Sequence, residues 1–187
     1  GAGLVAGSRA HAGRGGGGGA RREHCVPPGA AVGVGLLGAK PLEGLATNIR
    51  GSEIVFEKAH KHSTRVLVTS TSEIYGKNTS DRLGEEDDRI LGSPLKSRWS
   101  YSEAKAIEEI LAFTYWRQKG LATYIVRLFN TVGPRQTGHY GLVIPRFVSQ
   151  AIKGEPIPVY GTGHQTRALR FALVCGPAVV QCAGHRE

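Results

Sequence analysis

Hydrophobic positions show no period over the first 29 residues and begin to recur at Pro41. Leu42, Leu45, Ile49, Val55 and Phe56 then return near helical spacing, and Pro41 suits a first turn, which predicts a helix running to about His60. Arg65-Val66-Leu67-Val68-Thr69-Ser70 is a short run with β-branched residues and reads as a buried strand. The acidic, polar stretch from Asn78 to Ser97 reads as a long surface loop. Ser100-Tyr101-Ser102-Glu103 has the S-x-x-E form of a capping box and opens a second predicted helix. Its apolar face is Ala104, Ile107, Ile110, Leu111 and Tyr115, and Gly120 stops it. Leu121 to Phe129 is the next predicted strand, Leu142 to Lys153 a third helix ended by Gly154, and Ile157 to Tyr160 a short strand. No period is visible in residues 168–187, where no element is predicted and poor order is expected. Strand, helix, strand in this order implies a crossover within a parallel sheet.

The rest of the composition bounds this picture. Residues 1–29 are rich in Gly, Ala and Arg, with five glycines in a row at 15–19, and read as low-complexity coil. The 187 residues are 40% hydrophobic and 21% charged, as in a globular protein, and no apolar run is long enough to span a membrane. Cys25, Cys175 and Cys182 form no CxxC pair, so they read as free thiols of the cytoplasm rather than metal ligands or a disulfide framework. The net charge of +9 invites a nucleic-acid reading, but residues 30–167 hold 18 Lys and Arg against 13 Asp and Glu. That modest excess suits an anionic small-molecule substrate equally well. A basic Gly/Arg-rich nucleic-acid binder would rest on residues 1–29 alone, and no nucleic-acid partner is expected. The absence of any Met and the abundance of Gly, 27 in all, suggest part of a longer product.

Three segments carry chemistry: Thr69-Ser70-Thr71-Ser72-Glu73-Ile74-Tyr75-Gly76 at the end of a strand, Tyr101-Ser102-Glu103-Ala104-Lys105 on a helix, and Arg127-Leu128-Phe129-Asn130 at the end of the following strand. Carboxyl ends of parallel strands are where ligands bind, so Thr71 and Asn130 should share one edge beside the start of the Tyr101 helix. Tyr101 and Lys105, four apart, project from one helix face. A free tyrosine, with a pKa of about 10, is a poor base at neutral pH, and an adjacent ammonium favours its phenolate. Such a tyrosine can take the proton from a hydroxyl that Thr71 holds in line.

Residues 30–167 resemble the extended short-chain dehydrogenases, the NAD-dependent epimerase/dehydratase family. AAVGVGLLGAKPLEGLATNIRGSE, TSTSEIYG, RWSYSEAK, VRLFNTVGPRQTG and IPVYGTGHQTR occur in the family's order and spacing. The resemblance implies a catalytic Thr71, a proton-transferring Tyr101, and a Lys105 that tunes Tyr101 and contacts the ribose of NAD. It further implies that Asn48 supports cofactor contacts, and that Asn130 and Arg167 contact the substrate's diphosphate or sugar. The activity it implies is modification of a nucleotide-sugar, a UDP-sugar, through transient oxidation at carbon 4. Family members are usually homodimers. A 4,6-dehydratase carries an Asp-Glu pair after the catalytic Thr. Ser72-Glu73 argues against one and resembles the UDP-glucuronate decarboxylases, in which Glu73 would join the catalytic set, while a 4-epimerase remains equally open.

The departures shape the expected fold. A full member begins with a strand and a glycine turn that cradles the NAD pyrophosphate at a helix N-terminus, and nothing of that kind precedes residue 30. The expectation is therefore α/β: a partial Rossmann-like parallel sheet flanked by helices, lacking the N-terminal glycine-turn unit, with low-complexity residues 1–29 and a divergent tail at 168–187. The strand at Val66–Val68 should expose an unpaired edge. The alternative function is a non-catalytic, truncated piece of such an enzyme, unable to bind NAD.

Overall fold

The computed structural model describes residues 24–25, 41–136 and 142–184. A parallel sheet forms in the order β1 (His24–Cys25), β2 (Arg65–Thr71), β3 (Thr123–Leu128). Helix α1 (Pro41–Lys61) precedes β2, and α2 (Ser100–Lys119) makes the connection from β2 to β3. A second parallel pair joins β4 (Asn130–Val132) to β5 (Leu169–Phe171), with α3 (Val143–Lys153) between them in sequence and α4 (Ala172–Gly184) following. This is the expected α/β arrangement of parallel strands and helices.

Strand β2 is central because its apolar run is continuous: Val66, Leu67 and Val68 are all buried, as both faces of a parallel strand require. Val66 and Val68 pack with Phe56 and Ala59 of α1, Ala112 of α2 and Leu121 to form the core. Phe56 stacks on Tyr115 with ring centroids 5.4 Å apart. Full burial of a ring such as that of Phe56 is worth about 1.5–3 kcal/mol, and the stack on half-buried Tyr115 ties the two helices together.

The elements were legible, but their buried faces differ from the predicted ones. In α1 the buried positions are Gly44, Asn48, Gly51, Ser52, Phe56 and Ala59, while Leu42 is 80% exposed and Leu45, Ile49 and Val55 are half-buried. In α2 the buried set is Ser102, Ala104, Lys105, Ala106, Glu108 and Ala112, whereas Ile107 and Ile110 lie open. The two helices pack on each other through mostly small side chains, which allows a close approach that large ones would block.

Four further expectations are corrected. The capping box does not form: a 3₁₀ turn at Ser97–Trp99 runs straight into α2, Ser100 is already helical, and its Oγ donates back to the Ser97 carbonyl at 2.7 Å. Ile157–Tyr160 is irregular rather than a strand, and Val159 is exposed. The edge of β2 is not open at Val66, which pairs with Cys25, so residues 24–25 are strand rather than coil. Residues 169–184, read as without structure, hold β5 and α4. A three-residue strand made by distant pairing, Asn130 to Leu169 and Val132 to Phe171, leaves no local period. Helix α4 is apolar on almost every side, so it shows none either, and Leu173, Val174 and Val180 are exposed. The remaining expectations for residues 1–23 and 26–40 lie outside the described residues.

Gly76 fixes the turn that leaves β2. It has φ +65° and ψ −111°, and a Cβ there would collide with the Ile90 carbonyl and the Leu91 side chain. Its amide returns to the Glu73 carbonyl, and Lys77 donates to Ile90 O at 2.7 Å, so the chain folds back immediately. Gly76→Ala should therefore lower unfolding stability by about 1–3 kcal/mol, measured by urea titration, through backbone strain and the clash together.

Candidate active site

The carboxyl end of β2 runs into a single 3₁₀ turn, Ser72–Tyr75, capped by Thr71, whose Oγ1 accepts the Glu73 amide at 3.3 Å. Accepting that bond leaves the Thr71 hydroxyl proton available to a ligand. Thr71 is half-buried and pairs in register with Leu128 of β3. Glu73 counts as exposed over the whole residue, yet its carboxyl lies among enough protein atoms for desolvation to raise its pKa above the ordinary value. Arg98 opposes that shift with its positive charge.

The first turns of α2 are fastened to this strand end twice. Ser102 is fully buried and its Oγ donates to the Glu73 carbonyl at 2.8 Å. Lys105 is also buried, and its Nζ donates to the Thr69 carbonyl at 2.7 Å. Tyr101, half-buried beside Ser102, is thereby held on the helix turn that abuts Thr71 and Glu73. A second bond from Lys105 Nζ, 2.7 Å to Glu108 Oε2, forms a buried ion pair one turn further along α2.

Asn130 opens β4 two residues beyond Leu128, the partner of Thr71, and so begins the second sheet just past that strand end; its Nδ2 donates to the Ala168 carbonyl at 3.1 Å. That bond brings the segment holding Arg167 to the Asn130 end of the β4–β5 pair. Arg167 itself is exposed and its Nη1 donates to Thr166 O at 2.7 Å. Asn48 is buried in α1, its carbonyl accepting Ser52 Oγ at 2.7 Å. The structure thus gathers Thr71, Glu73, Tyr101 and Lys105 at the junction of β2 and α2, puts Asn130 on the neighbouring strand pair with Arg167 in the irregular segment that leads into β5, and sets Asn48 in the helix packed on α2.

Three contributors escaped the sequence reading. Ser102 and Glu108 lie one and seven residues after Tyr101 and gain their roles by burial, which no spacing reveals. Arg127 of β3 is the third. It forms a two-pronged bond to Glu109 at 2.8–3.3 Å, donates to Tyr75 Oη at 3.1 Å and Glu85 O at 2.9 Å, and lies 5.0 Å over the Tyr75 ring. Hydrogen bonding to Glu109 raises the guanidinium pKa further, against the opposing effect of burial. One cation thus joins β3, α2, the turn after β2 and the loop. Among the described residues no cluster of His, Cys, Asp or Glu could hold a metal ion, and no helix is long and apolar enough to cross a membrane.

A model of the NAD dependent epimerase/dehydratase family matches residues 23–173. The chain is 43% identical over 143 residues to a UDP-N-acetyl-alpha-D-glucosaminuronate decarboxylase of Bacillus cytotoxicus, covering 76% of this chain and 44% of that one. It is 35% identical over 133 residues to a UDP-glucuronic acid decarboxylase of Xenopus tropicalis, covering 70% of this chain and 31% of that one. It therefore spans less than half the length of these relatives. Among solved structures, a dTDP-glucose 4,6-dehydratase of Streptomyces venezuelae with NAD bound superposes with a TM-score of 0.82 at 27% identity, over 96% of this chain and 54% of that one. A UDP-N-acetylglucosamine 4-epimerase of Methanobrevibacter ruminantium gives 0.81 at 27% identity, over 89% and 53%.

The Arg127 clamp is open to direct test. Arg127→Leu leaves Glu109 and the Tyr75 hydroxyl without their partner and should cost about 1–3 kcal/mol of stability. Amide hydrogen exchange in residues 77–90 should quicken more than in α1, since the clamp holds that loop through Glu85.

Proposed function

The chain belongs to the NAD dependent epimerase/dehydratase family, and from that membership we propose that these residues are the catalytic half of a UDP-sugar-modifying enzyme that works through transient oxidation at sugar carbon 4. The observation that carries the reading is the pair of hydrogen bonds, Ser102 to Glu73 and Lys105 to Thr69, that fastens the Tyr101 helix to the Thr71 strand end. In this reading Thr71 donates to the sugar hydroxyl and holds it towards Tyr101, which takes the proton as phenolate while the Lys105 ammonium stabilises that charge. NAD, when bound, supplies the hydride acceptor. Lys105 and Asn48 are the residues of this chain that fit its nicotinamide-ribose side: Lys105 has an ammonium at the end of a parallel strand, where such ligands bind. Asn130 and Arg167 meet the diphosphate or sugar, a role suited to an amide and a fork-shaped cation.

Between the two chemistries, decarboxylation of a UDP-uronate is favoured over 4-epimerisation. The two relatives above are decarboxylases, and Glu73 has its pKa raised by desolvation. A carboxyl that keeps its proton to higher pH can protonate the carbon left when carbon dioxide departs beside the new ketone. The exposed row Ile107, Ile110, Phe113 and Trp116 on α2 is covered, in this reading, by a second copy, as in a homodimer. Among the described residues Cys25, Cys175 and Cys182 form no disulfide, which suits the reducing cytoplasm.

Titration with NAD comes first. Micromolar binding by these 187 residues would exclude the competing reading, in which they do not hold NAD unaided; if none is seen, the chemistry is assayed in a protein that carries them within the length of their relatives. Given UDP-glucuronate, carbon dioxide release without net NAD consumption is expected, and a 4-epimer as sole product would favour the other chemistry. Tyr101→Phe should reduce kcat by about 10²–10⁴-fold. Glu73→Gln should suppress carbon dioxide release more than it suppresses sugar oxidation, read as transient NADH absorbance.

A further inference from the structure

The buried carboxylate of Glu108 has no part in the chemistry described so far. It is 3% exposed, sits on α2 one turn beyond Lys105, and holds the Lys105 ammonium at 2.7 Å, while the same ammonium donates to the Thr69 carbonyl at 2.7 Å. Lys105 is itself 3% exposed. An ammonium so deeply buried loses its hydration, and without compensation such a lysine loses its proton near or below neutral pH. A carbonyl oxygen offers a dipole only, whereas Glu108 puts a full negative charge at bonding distance.

Among the described residues, the other charged or titratable groups on the elements packed around this pair are paired, exposed or half-buried, Tyr124 of β3 being among the half-buried ones. On β3, Arg127 is joined to Glu109. In the turns before and after the loop are Glu73, which titrates under the influence of Arg98, and Tyr75, bonded to Arg127. At the start of α2, Glu103 pairs with Arg89. On α1, Glu43, Arg50, Glu53, Glu57, Lys58, His60 and Lys61 are exposed, and the buried polar groups are the neutral Asn48 and Ser52. On β2, half-buried Arg65 lies at the opposite end of the strand from Thr69.

We propose that Glu108 is a positioning residue that keeps Lys105 protonated and seated at the end of β2, and through it keeps the Tyr101 phenolate accessible near neutral pH. The inference rests on the proposed pairing of Tyr101 with Lys105. Two opposing electrostatic effects decide its sign. The Glu108 charge itself disfavours a phenolate, but it lies seven residues from Tyr101 on the helix, whereas Lys105 lies four away. Loss of the nearer cation outweighs loss of the more distant anion. Glu108→Gln should therefore act in the same direction as Lys105→Met, and raise the Tyr101 pKa.

The test uses the whole chain with [¹³Cζ]-tyrosine, following each phenol by NMR from neutral to alkaline pH, with Tyr101→Phe assigning the resonance. This readout needs neither cofactor nor turnover. Lys105→Met should raise the Tyr101 midpoint by at least about one pH unit. If it does not, the Tyr101–Lys105 pairing itself fails. Given that rise, Glu108→Gln should produce a smaller one in the same direction, and Glu108→Asp, which keeps the charge, should restore most of the original midpoint. An unchanged or lowered midpoint in Glu108→Gln overturns the inference while leaving the Tyr101–Lys105 pairing intact. Should Glu108→Gln fail to fold, the double variant Lys105→Met/Glu108→Gln decides. A folded double variant shows that the uncompensated ammonium was the fault, as the inference requires. A double variant that also fails to fold shows Glu108 to be needed for packing alone, which overturns it.

Discussion

A buried positive charge at the end of a parallel strand is the constraint around which this protein is arranged. Lys105 reaches the Thr69 carbonyl because β2 ends in the core beneath α2, and a carboxylate lies at bonding distance from its ammonium there. Burial of such a pair seldom adds stability compared with an apolar replacement, since desolvation of both charges consumes the attraction between them. A helix that could have been stitched to the sheet by leucines is stitched instead by a lysine, a glutamate and a serine. That choice makes sense where the lysine is wanted as a charge, which is the use the proposed Tyr101 chemistry would have for it.

The second pairing of the same helix, Glu109 with Arg127, solves a different problem. Consecutive glutamates on α2 diverge: Glu108 binds inward to Lys105 and Glu109 binds across to β3. The helix is thus held at one point to its own cation and at another to the next strand, and the Tyr75 ring and the loop carbonyl of Glu85 are drawn in by the same guanidinium. The turn that carries Thr71 and Glu73 is consequently bounded on one side by Ser102 and on the other by the Arg127–Tyr75 stack. Its geometry depends on neighbours from three elements rather than on its own four residues.

Most of the fold was legible in the sequence, and the parts that were not have identifiable causes. The helix at Pro41–Lys61, the strand at Arg65–Thr71 and the helix stops at Gly120 and Gly154 follow from periodicity and from left-handed glycine caps. The buried faces of α1 and α2 were misplaced because hydrophobicity identifies large apolar residues, while these helices meet through glycine, alanine, serine and asparagine. Strand β5 depends on pairing with residues far earlier in the chain, and α4 is too uniformly apolar to display a period. At the site, Thr71, Tyr101 and Lys105 stood out as a family pattern, whereas Ser102, Glu108 and Arg127 matter through depth and distance, which a linear pattern does not contain.

The register of the sheet also bears on how the protein comes to exist. Thr71 lies opposite Leu128 only after the whole loop and the whole of α2 have been threaded between two parallel strands. Closing so long an intervening segment costs chain entropy before any contact repays it, which makes parallel pairing slow compared with the formation of α2 itself. The helix bearing Tyr101 and Lys105 can therefore exist early on the folding route, with its lysine in water. The ammonium is drawn out of water only when β2 and β3 join and the Thr69 carbonyl comes to rest beneath it. The arrangement of Thr69, Tyr101 and Lys105 is thus a late product of folding, reached together with native pairing and not before it.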